Sequence, residues 1–201
     1  MNTGLLGGTF DPVHKGHMAV AETVMSRVGL DEVVFMPAAR TPLKENIRIS
    51  AAEHRIEMIR CAIEGIPYFR LSTIEMSRTG PSYTVDTLSE LRKTINDEDE
   101  LFLIIGCDSL INIHQWKEPE RLLKMCRLVA VPRPGYTIPA PETLEKEVPG
   151  LSKNVIILDE PNVDISATDI RERVAQGLSI KHLVPEAVDQ YIKKHKLYMT
   201  E

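Results

Sequence analysis

Apolar positions along the chain follow two rhythms. Short segments rich in apolar residues at 3–7, 32–37, 70–76, 101–106, 127–134 and 154–159 predict strands. The run LFLIIG at 101–106 is apolar up to its closing glycine, as in a strand covered on both faces. Pro37 closes the second run. Between the runs, apolar residues recur every three or four positions. Val20, Val24 and Val28 share one face of a predicted helix over 16–28. Ala52, Ile56, Ile59 and Ile63 share a face of the next, and Ser50 and Glu53 have the spacing of a capping box at its start. Val85, Leu88, Leu91 and Ile95 point inward from a predicted helix over 84–95, and two more helices are predicted over 169–176 and 185–194.

This alternation predicts an α/β fold: a Rossmann-like, doubly wound parallel sheet with helices on both faces. One domain is expected over 1–201, with a small helical portion from about 165 onward. The proline-rich stretch 132–149 reads as a surface connection. In open parallel sheets, ligands collect at the carboxyl ends of the strands, near the reversal in strand order. Four stretches rich in chemistry fall at such ends: 7–17, 37–48, 106–116 and 165–171.

Composition narrows the function classes. With 43% hydrophobic and 26% charged residues, the 201-residue chain can build an ordinary core. A net charge of -5 argues against broad attachment to nucleic acid, so any anion site must be a local arrangement. Cys61, Cys107 and Cys126 lie far apart without a C-x-x-C pair, which speaks against a disulfide framework or zinc knuckle. The start of the sequence lacks a secretory pattern, and no apolar stretch is long enough to span a bilayer. The expectation is a cytoplasmic protein with no membrane or nucleic-acid partner; a homo-oligomer is compatible with it.

GGTFDPVHKGH at 7–17 places two imidazoles three residues apart beside a Gly-Gly step. It is neither a Walker loop nor G-x-G-x-x-G. Asp11, His14 and His17 could ligate a metal, but no further Cys or His cluster supports them. A nucleotide site at a helix N-terminus is the third reading. Gly7, Gly8 and Gly16 allow close backbone approach, Pro12 stiffens the turn, and the helix points free N–H groups and its positive dipole end at the same spot. On these residues alone, histidines that merely cap a turn stay open as well.

The H-x-G-H core of this stretch resembles the signature of the nucleotidyltransferase superfamily. ISATDIR at 165–171 resembles the superfamily's second signature, with Ala167 in place of a serine. PLK at 42–44, GPSYTVDTL at 80–88, IGCDSLINIHQW at 105–116 and RPGY at 133–136 together resemble the bacterial nicotinate-nucleotide adenylyltransferases. Cys107 stands where alanine is expected. The resemblance implies ATP and nicotinate mononucleotide as substrates, with Mg²⁺ brought by ATP and no protein metal site. Other adenylyltransferases, such as one acting on phosphopantetheine, and a non-catalytic nucleotide-binding module are the alternatives.

The resemblance also implies roles. His17 would contact the α-phosphate and His14 the adjacent oxygens, with Gly7, Gly8, Thr9, Phe10 and Gly16 lining the floor. Ile165, Ser166 and Arg171 would hold the outer phosphates. Lys44, in a basic run with Arg40 and Arg48, would be a cation offsetting repulsion between the substrates. Gly106, Asp108 and Ser109 would receive the adenosine, with Asp108 accepting from ribose hydroxyls or capping the next helix. On the acceptor side, Trp116, the only tryptophan, could be core, but the family pattern implies that it stacks on the pyridinium. Independently of the resemblance, Tyr83 and Thr84 at a helix start would offer backbone N–H groups to the carboxylate, and Arg133 would add positive charge. Asp11 would brace the turn or touch the metal through water. That carboxylate reading carries an expectation: nicotinate should be preferred over nicotinamide mononucleotide, whose NH₂ the same donors cannot satisfy.

Overall fold

The structure, a computed structural model, describes residues 1–39, 49–78, 80 and 82–199. Among them, six strands form one all-parallel sheet: β1 (Asn2–Gly8), β2 (Glu32–Pro37), β3 (Phe69–Leu71), β4 (Glu100–Gly106), β5 (Arg127–Val131) and β6 (Val155–Ile157). Their order is β3-β2-β1-β4-β5-β6. The fold class expected from the apolar rhythm is therefore the one observed. The chain winds outward in one direction from β1 and in the other from β4, so the sheet reverses between these two strands, the place where open parallel sheets generally bind their ligands.

Helices α1 (Lys15–Val28), α2 (Ala52–Ile63), α8 (Ala167–Ala175) and α9 (Glu186–Lys194) contribute to one layer of core. Helices α3 (Thr84–Leu91), α4 (Cys107–Ile111), α5 (Pro119–Leu123), α6 (Pro141–Glu145) and α7 (Leu151–Asn154) contribute to the other. Strand β4 serves both. Phe102 and Ile104 enter the first layer, while Leu101, Leu103 and Ile105 enter the second. That two-sided burial explains why its sequence is a continuous apolar run rather than an alternation. Helix α1 stops at Gly29, whose left-handed φ of 74° lets its N–H reach the Met25 carbonyl.

Several expectations are corrected. The strand expected over 70–76 ends at Leu71, and a 3₁₀ turn covers Ile74–Ser77. Its Glu75 is buried to accept the Thr87 hydroxyl at 2.8 Å, a partner that a strand's alternation could not have foretold. The strand expected over 127–134 ends at Val131, because Pro132 and Pro134 lack the N–H that a ladder needs. Residues 154–159 supply only Val155–Ile157, and the helix expected over 84–95 ends at Leu91. The stretch 132–149 is more than a surface connection: it contains α6 and buries Leu144 and Val148.

Helix α2 is rotated from the expected face. Its buried positions are Arg55, Met58, Ile59 and Ala62, and its N-cap is Ala51 without a side-chain bond. The capping box expected from Ser50 and Glu53 does not form, because the Ser50 N–H is taken by the Asp11 carboxylate at 3.1 Å. The cysteines are free thiols; Cys107 and Cys126 are buried and Cys61 is half-buried. Among the described residues no helix is long and apolar enough to cross a membrane.

Candidate active site

In each β-α crossover the helix that follows a strand starts at the sheet's carboxyl edge, so the N-termini of α1, α3, α4 and α8 face one rim. The turn from β1 into α1 is the most constrained of these helix starts. Phe10 adopts a left-handed φ of 50°, an uncommon state for a bulky residue. Its ring is buried and packs edge-on against His17 at 4.8 Å and tilted against Phe35 at 5.8 Å, contacts that offset the strain.

Asp11 is buried, and both its oxygens are engaged: Oδ1 accepts the Tyr198 hydroxyl at 2.6 Å and Oδ2 the Ser50 N–H. The Asp11 carbonyl accepts Arg171 Nη1 at 2.8 Å. Arg55, also buried, gathers three carbonyls with one guanidinium. Nη1 donates to Thr9 and Ala38 at 2.9 Å each, and Nε donates to Ser50 at 3.2 Å. Burial weakens the hold of Arg55 on its proton, against which the Asp11 charge acts, yet a guanidinium stays charged. The turn is thus clamped from three other segments of the chain.

His14 is the extended N-cap residue of α1. Its backbone N–H donates to His17 Nδ1 at 3.2 Å, which leaves the His17 proton on Nε2. The two rings stack at 3.7 Å. A side chain at Gly16 would stand 3.0 Å from His14 Nδ1 and 3.2 Å from Val163, so only glycine leaves the ring in place. Burial, then the charge of Arg133, lowers the His14 pKa to about 4. His17 keeps one edge toward solvent, yet the protein around it, then His14 and Arg133, drives its pKa well below the ordinary value. Both imidazoles are neutral at pH 7. His14 Nδ1 is buried without a partner among the described residues.

Across the strand reversal, β4 ends in Gly106. A side chain there would collide with Asp108 Oδ1. Asp108 Oδ2 pairs with Arg133 Nη1 at 3.4 Å, and Oδ1 is buried without a partner among the described residues. The N-cap of α4 is Gly106, with no side-chain bond, so Asp108 does not cap that helix. Ser109 is half-buried on α4. At α8, Ser166 is the N-cap and accepts the Asp169 N–H at 3.0 Å, while Ile165 packs on the first core layer.

The start of α3 is looser. Tyr83, the N-cap, is exposed, and Lys117 Nζ lies 4.7 Å from its ring centroid while reaching Asp86 at 2.9 Å. The N–H groups of Thr84 and Val85 have no partner among the described residues. Trp116 is half-buried and packs on the second core layer.

Gly7, Gly8, Thr9, Phe10, His14, Gly16, His17 and Arg171 therefore meet at one corner, with Gly106, Asp108 and Arg133 beside it. Tyr83 and Thr84 belong to a second group that Lys117 ties to the Trp116 segment. Lys44, with Arg40 and Arg48, lies outside the described residues. Asp11 is not free to join the histidines around a metal, and no group of three metal-ligating side chains occurs among the described residues. Sequence reasoning missed Arg55 and Tyr198. Arg55 left one trace, a charge on the stripe it shares with Met58, Ile59 and Ala62; Tyr198 left none.

A family profile, Cytidylyltransferase-like, matches residues 5–173. A relative from Dehalococcoides mccartyi named "Probable nicotinate-nucleotide adenylyltransferase" is 46% identical over 198 residues, covering 98% of this chain and 97% of its own. One of the same name from a Roseiflexus species is 44% identical over 197 residues, covering 97% and 96%. Plasmodium falciparum nicotinic acid mononucleotide adenylyltransferase complexed with NaAD superposes with a TM-score of 0.79 at 20% identity, covering 98% of this chain and 97% of that one. At that identity the likeness is one of fold.

Proposed function

This chain belongs to the cytidylyltransferase-like family and, within it, to the nicotinate-nucleotide adenylyltransferases, and from that premise we propose a role for each side chain of the corner. The reaction transfers the adenylyl group of ATP to nicotinate mononucleotide, a step of NAD biosynthesis. A phosphate oxygen of the mononucleotide attacks the α-phosphorus, the bond to the β-phosphate breaks, and pyrophosphate leaves. The nucleophile is already an anion, so no general base is required. The barrier lies in bringing anions together and in the charge that grows on the phosphoryl oxygens.

The observation that carries our reading is the pair of stacked, neutral imidazoles at the start of α1, beside the reversal of the sheet. His17, with its proton on Nε2, donates to the α-phosphate, and the bond strengthens as charge develops in a poorly solvated corner. His14 Nδ1, buried and unpartnered, finds its partner in an adjacent phosphate oxygen. Of the N–H groups expected to be free in the first turn of α1, those of Lys15 and His17 are taken by the Leu183 and His14 carbonyls at 2.9 Å each, so the dipole acts chiefly through the Gly16 N–H, which has no partner among the described residues. Arg171, with Ser166 and Ile165 at the start of α8, holds the outer phosphates.

Asp108 accepts from the ribose through its unpartnered Oδ1, with Gly106 and Ser109 beside it. Tyr83, Thr84 and Trp116 receive the nicotinate end, and Arg133 adds positive charge where the substrates meet. Mg²⁺ brought by ATP would offset phosphate charge; among the described residues no group of three metal-ligating side chains stands ready for it, and both oxygens of Asp11 are engaged. Free thiols and the acidic balance support a cytoplasmic enzyme without a nucleic-acid partner.

A pyrophosphate-release assay tests this reading. Release is expected only with ATP and nicotinate mononucleotide together, and with nicotinate strongly preferred over nicotinamide mononucleotide. Release with phosphopantetheine instead, or ATP binding without turnover, would refute it.

A further inference from the structure

Three hydrogen bonds converge on Asp11 from distant parts of the chain. The Tyr198 hydroxyl donates to Oδ1 at 2.6 Å across 187 positions of sequence, and the Ser50 N–H donates to Oδ2 at 3.1 Å. Arg171 Nη1 donates to the backbone carbonyl of the same residue at 2.8 Å. Arg171 has no carboxylate partner among the described residues; Nη2 reaches only the Thr168 hydroxyl at 3.1 Å. Its remaining donors have no partner among the described residues and can meet a ligand, but its direction is set by Asp11.

We propose that Tyr198 is a positioning residue for adenylyl transfer: by fixing Asp11 it holds the carbonyl on which Arg171 is aimed at the phosphate corner. The inference rests on the reading that Arg171 takes the outer phosphates of ATP. Two features set Tyr198 apart from an ordinary packing residue. The segment after α9 turns through left-handed backbone at Lys196 (φ 51°) and at Tyr198 (φ 64°). Such conformations are unfavourable for residues with a Cβ and persist only where surrounding contacts hold them. Here the contact is a short bond to a buried carboxylate. Burial and the Asp11 charge also push the phenol far above its ordinary pKa, so the hydroxyl stays a donor throughout the working pH range. A phenylalanine would fill the same space but leave Asp11 Oδ1 without a donor, free to turn and carry its peptide with it.

The test compares Tyr198→Phe, Arg171→Ala and the double variant, with Tyr191→Phe as control. Tyr191 also ends in a hydroxyl bonded to α2, at 3.0 Å from His54 Nδ1, on a partner other than Asp11. Tyr198→Phe should lower kcat/KM for ATP ~10-fold, as a small misplacement of a charge-bearing group does. The KM for nicotinate mononucleotide should stay within about twofold, a split that general loosening of the fold would not produce. In the Arg171→Ala background, Tyr198→Phe should add less than about twofold, because the two act as one unit. Tyr191→Phe should leave both KM values unchanged.

Wild-type kinetics for Tyr198→Phe, equal losses toward both substrates, or full additivity in the double variant would overturn the proposal. An unchanged KM for ATP in Arg171→Ala would instead overturn the role given to Arg171. If Tyr198→Phe does not fold, Asp11→Asn weakens the same bond with the phenol in place. The ATP-selective loss is expected there too, and its absence counts against the proposal.

Discussion

The turns that lead into α1 and α3 sit on the same rim of the sheet and are built in opposite ways. Into α1, the chain is locked by buried Phe10, Asp11 and Arg55, and no carbonyl that Arg55 holds comes from its own helix. Into α3, the cap is an exposed tyrosine under a lysine that is itself 40% exposed. The contrast matches the work proposed for each end. Donors that stabilise developing charge must already be aimed, since reorganising during the reaction would use up their advantage. Donors that select an acceptor by its carboxylate can adjust on binding, and the Glu75–Thr87–Arg78 network steadies only the helix behind them.

Removing His17 should break the contrast most strongly. His17→Ala is expected to lower kcat by roughly 10²–10³ with ATP binding retained, as when one transition-state donor is lost. Initial rates beside calorimetric ATP binding measure this, and a near-normal kcat would take His17 out of the chemistry. Next is Arg55→Met, which strands the Thr9, Ala38 and Ser50 carbonyls. A loss of about 3 kcal/mol is expected from leaving such groups unpaired, read from urea midpoints at constant m. A loss under about 1 kcal/mol would mean that water replaces the guanidinium and that the clamp is dispensable.

Acid should also discriminate between the two helix starts. The native site keeps His14 neutral down to about pH 4, whereas the unfolded chain protonates it near 6.5. Between these values the unfolded state binds more protons, so stability is full above about pH 6.5 and declines toward pH 4. The loss assigned to His14 is at most roughly 3 kcal/mol, and His14→Gln should flatten that part of the curve. For the same reason, kcat/KM should show no ionisation near pH 6.5 from either histidine of the corner; a break there that vanishes in a histidine variant would contradict their neutral state. Changes on the α3 side should be smaller and confined to the acceptor. Trp116→Leu should raise the KM for nicotinate mononucleotide by up to ~10-fold, the range of a lost cation–π contact. Lys117→Met should change it less than about threefold, as for an exposed ion pair.

How far the sequence could be read varies along the molecule. The order of strands and helices was legible because burial on both faces of β4 leaves an uninterrupted apolar run and helices leave a period. The histidine pair and the start of α8 were legible because each is a short contiguous motif. Two expectations failed where a distant partner intervened. Glu75 turned 74–77 out of the sheet to meet Thr87, and Asp11 took the Ser50 N–H from the expected capping box.

By itself, then, the sequence determined the layered α/β class and singled out the residues proposed for the phosphate corner. Only the tertiary structure decided how that corner is held: the neutral state of its imidazoles, the clamp by Arg55, and the link from Tyr198 through Asp11 to Arg171. The reason is physical. Periodicity and capping are local properties, expressed within a few residues. Desolvation and a hydrogen bond spanning 187 positions arise only when the folded chain brings its distant parts together.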